Sequence, residues 1–281
     1  MRASCWRSWA DPVNYRHAFH AGNFADCFKH ALLLSILGLL LRKAAPVFVL
    51  DTHAGRGSYD LLAEGARTGE WKDGIARLIP PPPALAFYVG LAERLGLYPG
   101  SPLLLRARLR PGDALACCEL HPEDAQALRR RFRGDPLVAV HHRDGYEAIG
   151  ALLPPREQRR GLVVIDPPFE RTDEFERVVA ALRVGAQRFG HGVYAAWYPI
   201  KHRSPVTAFH ETVRFAGLRD VIACELTLRE PTDPARLNGC GLLVRNAPFG
   251  FAAEAEAIPP ALLERLGEPD GGMAVVRITD E

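Results

Sequence analysis

The stretch Ile165-Asp166-Pro167-Pro168-Phe169 follows the apolar run Gly161-Leu162-Val163-Val164 and puts a carboxylate, a proline-fixed carbonyl and an aromatic ring side by side. Two adjacent prolines fix the backbone and remove competing N–H donors. Asp166 and the carbonyl of Pro167 are then two acceptors for a single amino group. Phe169 offers a flat apolar face on which an unstacked base can lie. An exocyclic amine such as N6 of adenine has its lone pair drawn into the ring. Two acceptors on its hydrogens return that pair toward an electrophile, so the set suits alkyl transfer to such an amine. The competing reading is a strand that ends in a Pro-rich turn.

Three more acids close apolar runs. Asp51 ends Val47-Phe48-Val49-Leu50 and leads into Thr52-His53-Ala54-Gly55-Arg56-Gly57, where small residues let backbone N–H groups approach a ligand. The third glycine of the dinucleotide fingerprint is missing, and a plain strand-to-helix turn reads equally well. Glu119, in Cys118-Glu119-Leu120-His121-Pro122, is a candidate acceptor for ribose hydroxyls. Such a carboxylate usually follows the glycine turn by ~20 residues, and here the interval is about three times that. Asp144, in Arg143-Asp144-Gly145-Tyr146, is a candidate acceptor for an adenine amine, with Gly145 giving the base room. It would serve equally as a helix N-cap. Near the N-terminus, Asp26, Lys29 and His30 fall on one face of a helix.

These residues need a scaffold. Apolar runs at 47–51, 114–120, 137–141, 161–165, 192–197, 221–228, 241–245 and 274–278 read as strands. Helical patterns at 122–133 and 172–189 lie between them, the latter opening on the cap and acidic turn Thr172-Asp173-Glu174. Alternation of this kind predicts an α/β, doubly wound, mostly parallel sheet. Helices are predicted at 69–79 and 84–95, separated by Pro80-Pro81-Pro82-Pro83. That is too much chain for one crossover, so residues 59–100 read as a helical insertion at the carboxyl edge of the sheet, where insertions shape access.

Composition narrows the class. The chain has 281 residues, is 48% hydrophobic and carries a net charge of +2, which supports a full core and excludes a bulk polycation. The longest apolar run, 31–41, falls short of the ~18 residues that span a bilayer. No secretory signal is expected. The six cysteines form no C-x-x-C pair and read as reduced thiols, with Cys117 and Cys118 on opposite faces of one strand. The expected setting is cytoplasmic. Arginines around Arg129-Arg130-Arg131 and Arg159-Arg160 could meet phosphate or simply be solvated.

Taken together, the segments resemble the RlmJ family of 23S ribosomal RNA adenine-N6 methyltransferases. The most telling are Tyr15-Arg16-His17-Ala18-Phe19-His20-Ala21-Gly22-Asn23, Leu50-Asp51-Thr52-His53-Ala54-Gly55, Tyr98-Pro99-Gly100-Ser101-Pro102 and Ala196-Trp197-Tyr198-Pro199. The resemblance implies a Rossmann-like class I methyltransferase core (15–58 and 101–281, a seven-stranded-type sheet) with a small helical subdomain at 59–100. It implies S-adenosylmethionine as donor, no metal, 23S ribosomal RNA as partner and no membrane, with a monomer expected. By position it makes His30, His53, Ser101, Glu119, Asp144, Gly145 and Asp166 cofactor contacts, and the glycine turn read above adds Gly55. Asp166 is also the proton acceptor, beside Pro167 and Phe169, and Tyr15 and Phe169 meet the RNA. Two departures stand out: Phe169 replaces the family's usual Tyr, and residues 1–14 form an expected disordered extension. Adenine methylation of DNA and nicotinamide oxidoreduction on the same sheet are the competing readings.

Overall fold

The computed structural model describes residues 20–63 and 68–280. The expectations for the 1–14 extension and for Tyr15 lie outside these residues. The eight strand-like runs all form strands: β1 (Val47–Asp51), β4 (Ala114–Glu119), β5 (Val138–His142), β6 (Arg160–Ile165), β7 (Val193–Ile200), β8 (Val221–Thr227), β9 (Gly239–Arg245) and β10 (Gly272–Thr279). They make one sheet in the order β10-β8-β9-β7-β6-β1-β4-β5. Pairing is parallel from β5 through β7, and antiparallel where β9 and β10 enter. β10 is one strand beyond the expected seven-stranded type.

The alternation along each strand divides the core in two. Val47, Val49, Leu162 and Val164 face a layer with helices α1 (Phe24–Leu41) and α8 (Phe251–Leu266). Phe48, Leu50, Val163 and Ile165 face the other layer, with α5 (Gly145–Leu152), α6 (Glu174–Arg188) and α7 (Arg203–Phe215). Central strands buried on both faces are apolar throughout, as a covered parallel sheet requires. Cys117 and Cys118 fall one in each layer.

α1 is longer than the apolar run inside it because Asn23 caps it, its side chain accepting from Asp26 N at 3.0 Å. It is apolar and long enough to cross a membrane, but 83% of it is buried inside the fold.

Between β1 and α3 (Ser101–Arg106) the chain pairs β2 (Ser58–Tyr59) antiparallel with β3 (Tyr98–Pro99) and holds α2 (Ala86–Arg94). The helix expected at 69–79 is instead two short 3-10 turns, Glu70–Asp73 and Ile75–Leu78, broken at Gly74. A Cβ on Gly74 would sit 2.0 Å from the carbonyl oxygen of Gly22, so the chain bends there to meet the segment leading into α1. α6 also starts without the expected side-chain cap, and Asp173 pairs with Arg171 at 2.9 Å instead.

Candidate active site

Parallel pairing of β5, β4, β1 and β6 brings their carboxyl ends, and with them Asp144, Glu119, Asp51 and Asp166, to one edge of the sheet. The turn after β1 lies across this edge: Thr52 N donates to Val164 O at 3.0 Å, and Ala54 N to Cys118 O at 2.9 Å.

Glu119 is organised by backbone. It accepts from Gly55 N at 2.8 Å and from His121 N at 2.7 Å. Burial raises its pKa despite these bonds. Gly55 has φ +61°, which keeps its N–H turned to the carboxylate, and a Cβ there would meet the Tyr59 hydroxyl at 2.4 Å. Asp144 caps α5, accepting from Tyr146 N at 2.7 Å and Glu147 N at 3.2 Å, with Arg177 3.5 Å from its other oxygen. The room at Gly145 is not left for a base. A Cβ there would lie 2.1 Å from the carbonyl oxygen of Thr52, so the glycine lets α5 approach the β1 turn.

His53 lies 2.7 Å from Thr52 Oγ1, and that hydroxyl donates to Val164 O at 2.8 Å. With its proton so placed, Thr52 accepts from His53 Nδ1–H and leaves Nε2 as an acceptor. Burial lowers the His53 pKa to about 4, against the pull of Asp166 and Asp144, so the ring is neutral near neutral pH.

Ser101 donates to Asp51 Oδ2 at 2.6 Å. Asp51 is fully buried and its Oδ1 has no hydrogen-bond partner among the described residues. Burial first, then repulsion from Asp166, raises its carboxyl to about 7. A buried acid left in this state suits a site that receives positive charge.

Asp166 stands at the edge itself, its side chain 14% exposed. Its Oδ2 accepts from Lys29 Nζ at 2.6 Å. Oδ1 accepts no hydrogen bond among the described residues. Lys29, on α1 and 5% exposed, also pairs with Asp26 at 2.9 Å. Burial works against its charge, but Asp166 and Asp26 outweigh burial and lift its pKa well above the ordinary value. Pro167 is buried beside it. Phe169, partly exposed, has φ 51°, a left-handed conformation that costs a bulky residue on the order of 1–3 kcal/mol. Phe175 and Trp197 brace the ring edge-to-face at 5.0 and 5.8 Å.

His30 is 1% exposed. Its Nδ1 lies 3.2 Å from the Tyr98 hydroxyl and its Nε2 4.0 Å from Asp26. The edge thus gathers His53, Gly55, Glu119, Asp144, Asp166 and Phe169, with Ser101 and His30 one layer behind. The sequence reading gave Asp51 and Lys29 no role. Asp51 was visible as the acid closing β1. Lys29 gave only a helical spacing to Asp26, because its other partner lies 137 positions away.

Among the described residues, no group of three or more His, Cys, Asp or Glu side chains is arranged to hold a metal ion. The edge does fit a nucleoside joined to a cationic group. It offers carboxylates for hydroxyls and an amine, a buried acid bonded through only one of its oxygens, and close backbone approach at the glycine turn.

Comparison with known proteins gives the family. The sequence profile described as ribosomal RNA large subunit methyltransferase D, RlmJ, matches residues 44–279. The chain is 37% identical over 274 residues to ribosomal RNA large subunit methyltransferase J of Escherichia coli strain K12, covering 94% of this chain and 98% of that protein. It is 38% identical over 281 residues to the protein of the same name from Haemophilus influenzae, covering 96% and 100%. A crystal structure of a Legionella pneumophila protein, 34% identical, superposes with a TM-score of 0.85 over 92% of this chain and 98% of that one.

Proposed function

Since this chain belongs to the RlmJ family of ribosomal RNA large subunit methyltransferases, we propose that it methylates the exocyclic N6 of an adenine in 23S ribosomal RNA. S-adenosylmethionine is the cofactor, and when bound it supplies a methyl group on a positively charged sulfur. The observation that carries the N6 reading is the state of Asp166. One of its oxygens is anchored on a buried lysine, the other has no donor among the described residues, and a braced aromatic ring stands three residues on.

Glu119 holds the ribose, Asp144 the adenine amine, and His53 the methionine end, with Asp51 behind them. The RNA adenine leaves its stack at a cost of a few kcal/mol, less where it is already unpaired. It lies on Phe169, which lacks a hydroxyl and so acts through its face alone. Asp166 Oδ1 and the Pro167 carbonyl accept from N6 and turn its lone pair outward. Lys29 anchors the other oxygen, Oδ2, from behind. Asp166 Oδ1 then takes the proton that the amine gives up. Orientation of this kind can supply about 7–11 kcal/mol of a barrier.

The test is methylation of protein-free 23S ribosomal RNA with a labelled donor, followed by digestion to nucleosides. N6-methyladenosine is expected, and Asp166→Ala abolishes it while donor binding persists. A different methylated nucleoside, activity only on duplex DNA, or near-normal turnover by Asp166→Ala would each refute the reading.

A further inference from the structure

Behind Asp166 a buried row of polar groups runs back through α1 to the segment between β2 and α3. Lys29 Nζ contacts Asp166 at 2.6 Å and Asp26 at 2.9 Å. His30 Nε2 lies 4.0 Å from the same Asp26 oxygen, and its Nδ1 is 3.2 Å from the Tyr98 hydroxyl. Tyr98 and Tyr88 share a hydrogen bond of 2.9 Å. Asp26, Lys29, His30, Tyr88 and Tyr98 are each 5% exposed or less. The far end of the row is anchored twice, Tyr88 by α2 and Tyr98 by its β3 pairing with Tyr59.

We propose that Tyr98, with Tyr88 behind it, is a positioning residue for methyl transfer, holding His30 against Asp26 so that Asp26 and Lys29 fix the free oxygen of Asp166. The inference rests on the proposed function and adds a residue to it. Lys29 has three rotatable donors on a flexible stem and does not set the plane of a carboxylate by itself. Its direction comes from Asp26, whose Oδ2 accepts from Gly22 N at 3.0 Å and whose Oδ1 faces Lys29 and His30. Two side chains flank Asp26 within α1: Lys29 one turn on, and His30 beside it. His30 rotates about its Cβ–Cγ bond unless something beyond it sets the ring. The Tyr98 hydroxyl sets it on the Nδ1 side, while the rings of Tyr88 and Tyr98 pack against it with centroids 6.1 and 6.0 Å away. In a low-dielectric interior such a row is stiff when complete and loses its register when one member is removed. The base of the 58–99 segment therefore belongs to the machinery that aims Asp166, although it touches no reacting atom.

Tyr98→Phe keeps the ring and removes only the hydroxyl. With 23S ribosomal RNA and labelled donor, the expected result is a fall in kcat of about 10-fold, equivalent to ~1.4 kcal/mol. The KM for RNA, the donor Kd by calorimetry and the Tm should hold near the parent values. Tyr88→Phe, one step further back, should lower kcat by less. In an Asp26→Asn background, where the row is already cut, Tyr98→Phe should cost little more, and that non-additivity is something a purely structural hydroxyl would not give. An unchanged kcat overturns the proposal. So does an equal loss in both backgrounds, or a loss that tracks donor affinity or Tm. If Tyr98→Phe does not fold, Tyr88→Phe in the two backgrounds decides the matter by the same criterion. Failure of the parent chain to methylate 23S ribosomal RNA at all would instead refute the proposed function, and this inference with it.

Discussion

The two halves of the ligand edge hold their acids by different means. Over β4 and β5, Glu119 and Asp144 are held by backbone N–H groups two or three residues downstream, with Gly55 adding one more to Glu119. Over β6, Asp166 is held by the side chain of a residue on another helix, and one oxygen is kept free. Backbone-held acids are fixed once the local turn forms, and they make good stationary acceptors for a cofactor. A side-chain-held acid needs the whole fold in place, but its direction can be set by the groups behind it. On the proposed mechanism the first half binds the donor and the second half reacts.

The most forceful way to break the second half is Lys29→Met. It leaves Asp26 and Asp166 facing each other without a cation, and removing one partner of a buried pair costs about 3–5 kcal/mol. Thermal melting should show a large drop in Tm, and single-turnover labelling should show methylation lost even where the protein remains folded. The first half answers to Glu119→Gln. Losing a charged acceptor should weaken donor binding by about 10–100-fold, or roughly 1.4–2.7 kcal/mol, measured by calorimetry, while kcat at saturating donor changes little.

Asp51 lies between the halves and gives a pH test. Its carboxyl, pushed up to about 7 by burial, is neutral below that pH and charged above it. A cationic ligand favours the charged form, so donor affinity should rise as pH climbs through about 7, and Asp51→Asn should flatten that rise. The same shift acts on stability with the opposite slope. A carboxyl whose folded pKa exceeds its unfolded value contributes stability at low pH and loses it as pH rises toward 7. The melting advantage of Asp51→Asn over the parent, without ligand, should therefore grow between the ordinary carboxylate range and about 7, then level off. The smallest effect belongs to Asp144→Ala. Losing the α5 cap should cost about 1 kcal/mol in chemical denaturation, with donor binding weakened and Asp166 chemistry intact.

Much of this was legible beforehand because it depends on local pattern. The apolar runs become strands since a covered parallel sheet needs strands that are apolar on both faces. Acids that close such runs reach a common edge as soon as the strands are parallel. What could not be read locally was governed by close approach. The pattern at 69–79 is helical, but Gly74 is pressed against Gly22 and the helix gives way to two turns. The space at Gly145 looked like room for a base and is filled by Thr52. The neighbours of His30, Tyr98 at Nδ1 and Asp26 at Nε2, were likewise not readable from its spacing.

Residue types within a few positions of one another specify the sheet, the acids along its edge and the Asp166-Pro167-Pro168-Phe169 turn. Only the tertiary structure decided which cation would meet Asp166 and what would hold that cation still. Lys29 and Asp166 are 137 positions apart, and His30 and Tyr98 are 68 apart. Contacts at that separation are set by how the chain crosses over the sheet, and no spacing in the sequence encodes them.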